Sequence, residues 1–392
     1  RKPSLFIFSA HTRREALLLN MMHAVAGLCL WAAVAHGLPL PIHTLQNVTR
    51  YQILDNGLRV FHSDSFKPSL HPNVLSSPVP LGGSVLYGEY YVSITIGNSA
   101  SLDVQVDTGS SDLAVASSAI RPTPPPPTYN PWASPTSSVV PCNSQSVSCD
   151  CTGNCTYTIS YLDGSGFTAD VFTDVVTVAG QSKLSTKAYV GAITKMSKGF
   201  ETAPVDGIVG IAYPKVSEIS APTLIDSLIA AGDMDDVFSF CLNSAPGTGG
   251  VLTLGSYGAP EQAFTWTPIV DDSFYVVDVL GLSVAGTRLS VPSSVYNSGG
   301  ALHTAFTDLC QQQNLVGVCG GGKQTLFDGY CFEMTPADMA AFPNVTVEFS
   351  NGAHADVVPS SYLSLDTPAG KYRCLGIVSV PESDGTIMGD VF

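Results

Sequence analysis

Glycine and proline cut this chain into short pieces. Thirty-six glycines and 27 prolines separate brief runs rich in Val, Ile, Thr, Ser and Tyr. Glycine permits the backbone conformations of tight turns and proline ends regular pairing, so runs of this kind read as strands joined by turns. Tyr87 to Gly97 is a strong strand closing on a Gly-Asn turn, and Val345 to Phe349 alternates cleanly up to Asn351-Gly352. Gly250 to Gly255 is a strand between turns, and Phe274 to Leu289 holds two more, broken at Ala285-Gly286. Tyr157 to Val178 holds two β-rich runs around Asp163-Gly164-Ser165-Gly166, the pattern of a β-hairpin. Thr223 to Ala231 is a short helix candidate and 122–127 a proline-rich loop. The fold class expected is all-β, in two domains or one large two-lobed unit, given 392 residues.

Composition excludes several function classes. Hydrophobic residues make up 45% of the chain and charged residues 12%, which fits neither a disordered chain nor a coiled coil. The net charge of −15 comes without a basic patch, so no nucleic-acid partner is expected. An acidic surface suits an acidic compartment, and equally suits plain solubility.

Met21 to Gly37 has the form of a secretory signal, with an apolar stretch from Ala24 to Ala35 and a small-residue end at Ala35-His36-Gly37. Residues 1–20 precede the first Met. They read either as translated upstream sequence or as an extension that turns the signal into an anchor. Residues 38–80 are polar, proline-bearing and poorly periodic, the character of a propeptide. With the signal removed, no membrane association is expected, because no other stretch is long and apolar enough to span a bilayer. Export places the chain in the secretory pathway, extracellular or vacuolar/lysosomal, where its cysteines are expected in disulfides. Cys142, Cys149, Cys151 and Cys155 cluster tightly. Their spacing lacks the paired two-residue gaps of common zinc sites, so disulfides rather than a metal are expected there. Cys29 leaves with the signal, which leaves an odd number, nine, of the ten cysteines. Sequons at Asn47, Asn154 and Asn344 fit a secreted glycoprotein.

The segment with the most chemistry is Val106-Asp107-Thr108-Gly109-Ser110-Ser111, a carboxylate on a glycine-bearing turn after an alternating strand, Leu102 to Val106. Alone, Asp107 reads as a turn residue bonded to its own backbone. Four further segments stand in order behind it: Ile159 to Gly166 with Tyr161; Val205 to Pro214; Phe238 to Leu242; and Ile387 to Phe392. Together the five resemble the pepsin-like aspartic proteases, from about Tyr87 to the last residue. The cysteine cluster resembles the insert of the family's nepenthesin- and plasmepsin-type members.

The resemblance implies a bilobal all-β fold with an N-terminal lobe over 81–236 and a C-terminal lobe over 237–392. It implies aspartic-type endopeptidase chemistry on protein or peptide substrates, and no cofactor or metal. Two such carboxylates share one proton: one takes a proton from water and the other protonates the scissile carbonyl. Asp107 would be the first of them. Thr108 would brace the loop, Gly109 would permit the turn, and Ser110 would hydrogen-bond the carboxylate. Ile208-Val209-Gly210 would pass beside the loop. Tyr161, with Asp163, Gly164 and Ser165, would form a flap over a bound peptide, and a propeptide would make the chain a zymogen. Ala114 departs from the pattern, since the family commonly has there a Trp that partners the flap tyrosine. The resemblance also implies a Cys331–Cys374 disulfide and makes Cys241 the cysteine whose partner is missing.

The second Asp motif is absent. Gly281 to Pro292 resembles the hairpin before it and Asn297-Ser298-Gly299-Gly300 its lead-in, but the chain continues Ala301-Leu302-His303, which resembles the helix after it. The sequence reads as excised between Gly300 and Ala301, and the family's final strands after Phe392 are absent too. Asp308 reads as a solvated helix face, Asp384 as a turn, Asp390 as scaffold and His303 as incidental. The polypeptide as it stands is therefore expected to have little or no activity, or to be a non-catalytic relative that binds peptides or proteins in its cleft. The long second lobe argues against pairing of two one-Asp chains, so a monomer is expected.

Overall fold

The computed structural model describes residues 77–84, 89–120, 127–142, 147–151, 153–161, 164–178, 184–201, 203–242, 249–256, 266–271, 273–289, 298–320, 324–365, 371–377 and 386–388, with short strand pieces at 17–19, 52–53 and 59–60. The expected signal, the first sequon, Asp163, Asp384 and Asp390 lie outside the described residues.

The chain forms a mainly β protein dominated by one 11-stranded sheet. From one edge its strands run Phe238–Leu242, Gly250–Leu254, Ser77–Ser84, Glu89–Ile96, Leu102–Asp107, Gly207–Gly210, Leu113–Ala116, Ser185–Met196, Gly166–Val178 and Ser138–Val139, with Thr156–Ser160 also pairing on Gly166–Val178. Alternation builds it: Tyr90, Val92, Ile94 and Ile96 point inward while Tyr91, Ser93 and Thr95 are half-buried. The 13-residue strand Gly166–Val178 changes phase at Val171 and Phe172, which are both buried. Phe167, Ala169 and Val171 serve a core under the hairpin, whereas Phe172, Val176 and Val178 serve the main core with Ile94, Leu102 and Val190.

A smaller sheet pairs Val279–Val284 with Val345–Phe349 and, beyond it, His354–Val357. The helix Ser298–Leu309 packs beside it through Leu302 and Phe306, in a core with Val284, Val345 and Tyr362. The expected short helix is Leu224–Ala231, capped by Thr223 and Asp226 bonding reciprocally and ended at Gly232 in the left-handed conformation.

The cysteine expectation needs correction, and two expected boundaries meet paired strands. The propeptide boundary at Pro80 falls inside the strand Ser77–Ser84, which pairs with Gly250–Leu254 and Glu89–Ile96. Through that pairing Leu252 and Leu254 bury their side chains in the same core as Val92, Ile94 and Leu102. Among the cysteines, Cys149–Cys155 and Cys331–Cys374 are bonded, and so are Cys310 and Cys319, nine residues apart. Cys142 and Cys151, expected in disulfides, carry thiols, as does Cys241. Cys155 is taken by Cys149, and the Cys151 thiol donates instead to the carbonyl of Cys142 at 3.0 Å.

Candidate active site

Asp107 ends the strand Leu102–Asp107, where the chain turns back toward Leu113–Ala116. Gly207–Gly210 runs between these arms, parallel to the first and antiparallel to the second. Gly210 is required there: a Cβ would lie 2.4 Å from the Ser111 nitrogen and 2.5 Å from the Ser110 carbonyl carbon. Backbone bonds knit the segments together. Ile211 N–H donates to the Asp107 carbonyl (2.8 Å), Ala212 N–H to Ser110 (2.8 Å) and Gly210 N–H to Asp112 (3.0 Å). The Ser111 hydroxyl donates to the Tyr213 carbonyl at 2.6 Å. The buried carboxylate of Asp112 accepts from the Ser217 hydroxyl at 2.6 Å and the Glu218 N–H at 2.8 Å.

The carboxylate of Asp107 is held by its own turn. One oxygen accepts the Gly109 N–H at 2.8 Å and the other the Ser110 hydroxyl at 2.6 Å, while Thr108 is half-buried between them. The residue is 5% exposed. Burial pushes its pKa up to about 6, against the lowering effect of Ser110 and Gly109. The Ser110 contact expected from sequence is therefore present, and Asp107 is a carboxyl that exchanges its proton in mildly acidic water.

The hairpin closes above it. Ser160 pairs with Gly166, and the Tyr161 N–H donates to the Ser165 carbonyl at 2.8 Å. Gly164 supplies the positive φ of the turn, +80°. Tyr161 is only 7% exposed. Burial drives its pKa well up, with Asp107 and Asp112 adding to the effect and the Ser110 side chain opposing it. Asp107, Ser110 and Tyr161 thus lie close together. Ser165, also buried, lies at the base of the turn.

Among the described residues of the C-terminal part, no comparable carboxylate turn forms. Ser298–Leu309 is one continuous helix through Gly299, Gly300 and Ala301, so no loop is present there to carry a carboxylate. Asp308 is exposed on that helix, and His303 stacks on Phe327 at 4.5 Å. Among the described residues no group of three or more His, Cys, Asp or Glu could hold a metal ion. No helix among them is long and apolar enough to cross a membrane.

Two features were not anticipated. Asp112 anchors Ser217 and Glu218 beneath the site, and Phe200 stacks against Tyr161 at 5.8 Å with the rings 20° apart. A lone aromatic in the polar run Ser197-Lys198-Gly199-Phe200-Glu201-Thr202 was the available signal for the second.

Residues 89–392 match the family model described as eukaryotic aspartyl protease. The chain is 30% identical over 318 residues to an aspartic protease of Phaffia rhodozyma, covering 76% of this chain and 70% of that protein. It is 29% identical over 343 residues to aspartic proteinase 39 of Arabidopsis thaliana, covering 77% and 70%. With rhizopuspepsin-3 of Rhizopus niveus it shares 28% identity over 313 residues, covering 78% and 74%.

Proposed function

The chain belongs to the eukaryotic aspartyl protease family, and from that premise we propose that Asp107 and the Tyr161 hairpin form one half of a peptide-hydrolysing site. Its ligand is an extended protein or peptide segment, bound between hairpin and carboxylate. By family the chemistry is aspartic-type endopeptidase chemistry. The observation that carries the reading is the convergence of a buried, Ser110-bonded Asp107 with Tyr161.

Asp-activated hydrolysis requires a base and an acid in the same encounter. Below its pKa of about 6, Asp107 can donate a proton but cannot take one from water; above it, the reverse holds. One carboxyl cannot fill both roles at once, and an uninterrupted helix occupies the stretch where the resemblance expects the second. We therefore infer that the chain as it stands binds peptide and hydrolyses it little or not at all. The test is digestion of a denatured protein at acid pH by the purified chain, with and without pepstatin. No pepstatin-sensitive cleavage is expected, and robust inhibitable cleavage refutes the inference. Peptide binding measured on the same protein tests the half-site itself.

A second reading concerns the gene. Family-like segments flank Gly300 and Ala301, and both the hairpin strands Val279–Val284 and Thr287–Arg288 and the strand Thr386–Met388 form. We propose that a longer product of the gene carries the second Asp loop between these residues and is the active endopeptidase. Transcripts that all join the Gly300 and Ala301 codons directly refute this. The segment 21–37 and the three disulfides support passage through the secretory pathway, with an extracellular or vacuolar/lysosomal destination.

A further inference from the structure

Tyr161 depends on a neighbour from outside its hairpin. Its ring stacks on Phe200 at 5.8 Å, 20° between planes, and tilts against Phe167 at 6.2 Å. Phe200 and Phe167 meet edge to face at 5.2 Å. Phe167 belongs to the hairpin's own strand, whereas Phe200 sits on the short helix Lys198–Glu201 that follows Ser185–Met196. That helix is tied to the hairpin base by two bonds. Ser197 N–H donates to the Gly166 carbonyl at 2.9 Å, and the Ser197 hydroxyl accepts the Gly166 N–H at 2.9 Å. The ring of Phe200 is thus held at a fixed place beside the hinge of the turn carrying Tyr161. The position across the same core is Ala114, which contributes only a methyl group.

We propose that Phe200 is the positioning residue that seats Tyr161 over Asp107 and so sets how closed the cleft is. The role rests on the flap reading given above. A stacked aromatic face both buries area and orients the ring, so its loss frees Tyr161 to swing out on the glycine-bearing turn.

The experiment is nitration of the full chain by tetranitromethane, with modified tyrosines located by peptide mapping. Tyr330 and Tyr372, each 44% exposed, serve as reactive standards; Tyr129 and Tyr157, 1% and 4% exposed, report on the integrity of the fold. In the unaltered chain Tyr161 resists nitration. In Phe200→Ala, Tyr161 reactivity should rise about tenfold relative to Tyr330, the change expected from losing a stacked partner, while Tyr129 and Tyr157 stay protected. Phe200→Trp, which keeps a stacking face, should retain protection, whereas Phe200→Leu, which fills much of the same space without one, should not. Unchanged Tyr161 reactivity in Phe200→Ala overturns the proposal. If Tyr129 and Tyr157 open as well, Phe200→Leu, which keeps the bulk, decides: selective exposure of Tyr161 supports the seat, and its absence overturns it. Hydrolysis and binding do not enter this readout. Failure to bind peptide would therefore sink the flap reading and leave the seat standing.

Discussion

Replacing Asp107 by Asn should stabilise the first lobe at neutral pH and leave it nearly unchanged in acid. The side chain is buried, and burial raises its pKa from 3.8 to about 6. The sign follows from proton counting. Between those values the folded state holds a proton that the unfolded chain has released, so stability falls as pH rises through the window. The ionised carboxylate then costs the fold about 0.2 kcal/mol at pH 3.5, about 1.6 at pH 5 and about 3 at pH 7, by single-site linkage. Asn removes that cost without changing shape. Its Oδ1 can accept the Gly109 N–H, and its Nδ2 can donate to the Ser110 hydroxyl, which rotates to accept. Both contacts of the carboxylate therefore have a counterpart.

Hydrogen exchange of the amides in Leu102–Asp107 and Gly207–Gly210 is the suitable assay, because a two-lobed chain need not unfold in one step. Variant and unaltered chain are compared at the same pH, so intrinsic exchange rates cancel. The protection of the variant should exceed that of the unaltered chain by a margin that widens from pH 3.5 to pH 7. A margin independent of pH would mean that Asp107 titrates as an ordinary carboxylate, and the burial argument would fail. A margin that reverses sign at pH 7 would mean that Ser110 and Gly109 outweigh burial, and that the carboxylate is a stabilising charge.

Asp174 should behave oppositely. Burial raises its pKa, but the hydroxyls of Thr136, Ser134 and Tyr129 and the Val175 N–H outweigh that and leave it below the usual range. Its stabilisation is then present above the unfolded pKa and lost as pH falls through the folded one. Asp174→Asn should cost about 2 kcal/mol at neutral pH, the scale of hydrogen bonds to a charged group, and progressively less in acid. Urea unfolding at two pH values checks this. Gly210→Ala drives a Cβ to within 2.4–2.6 Å of backbone at Ser110, Ser111 and Asp112. A loss of about 3 kcal/mol or more is expected, as for other overpacked sites; an unchanged thermal midpoint would contradict the threaded arrangement.

Much of the first half-site was legible because its determinants are local. The turn at Asp107, the hairpin with Gly164 at +80° and the capped helix after Thr223 each depend on residues a few positions apart. What escaped depends on distant partners. Ser77–Ser84 looks like an unpatterned Pro-rich tail until Gly250–Leu254 and Glu89–Ile96 lie on either side of it. The phase change at Val171 and Phe172 exists because one strand faces two cores, which no alternation rule anticipates. Cysteine pairing needs the Cα separations: Cys310 and Cys319 lie 5.5 Å apart, within bonding range, and spacing along the chain could not reveal it.

The well-formed geometry around Asp107 is weak evidence for hydrolysis, and the reason lies in where its supports come from. Gly109 and Ser110 hold the carboxylate, Gly210 to Ala212 hold the turn, and Asp112 holds Ser217 and Glu218; all lie between residues 107 and 218. One contact reaches these supports from later in the chain. The Tyr275 hydroxyl donates to the Ile211 carbonyl at 2.5 Å, and its ring packs on Tyr213 at 5.1 Å. A half-site built from its own lobe forms whether or not a second carboxylate exists. Its order therefore follows from folding, whereas turnover depends on an acid and a base arriving together. The raised pKa fits this separation, since burial alone accounts for its direction and no paired carboxylate is needed to produce it.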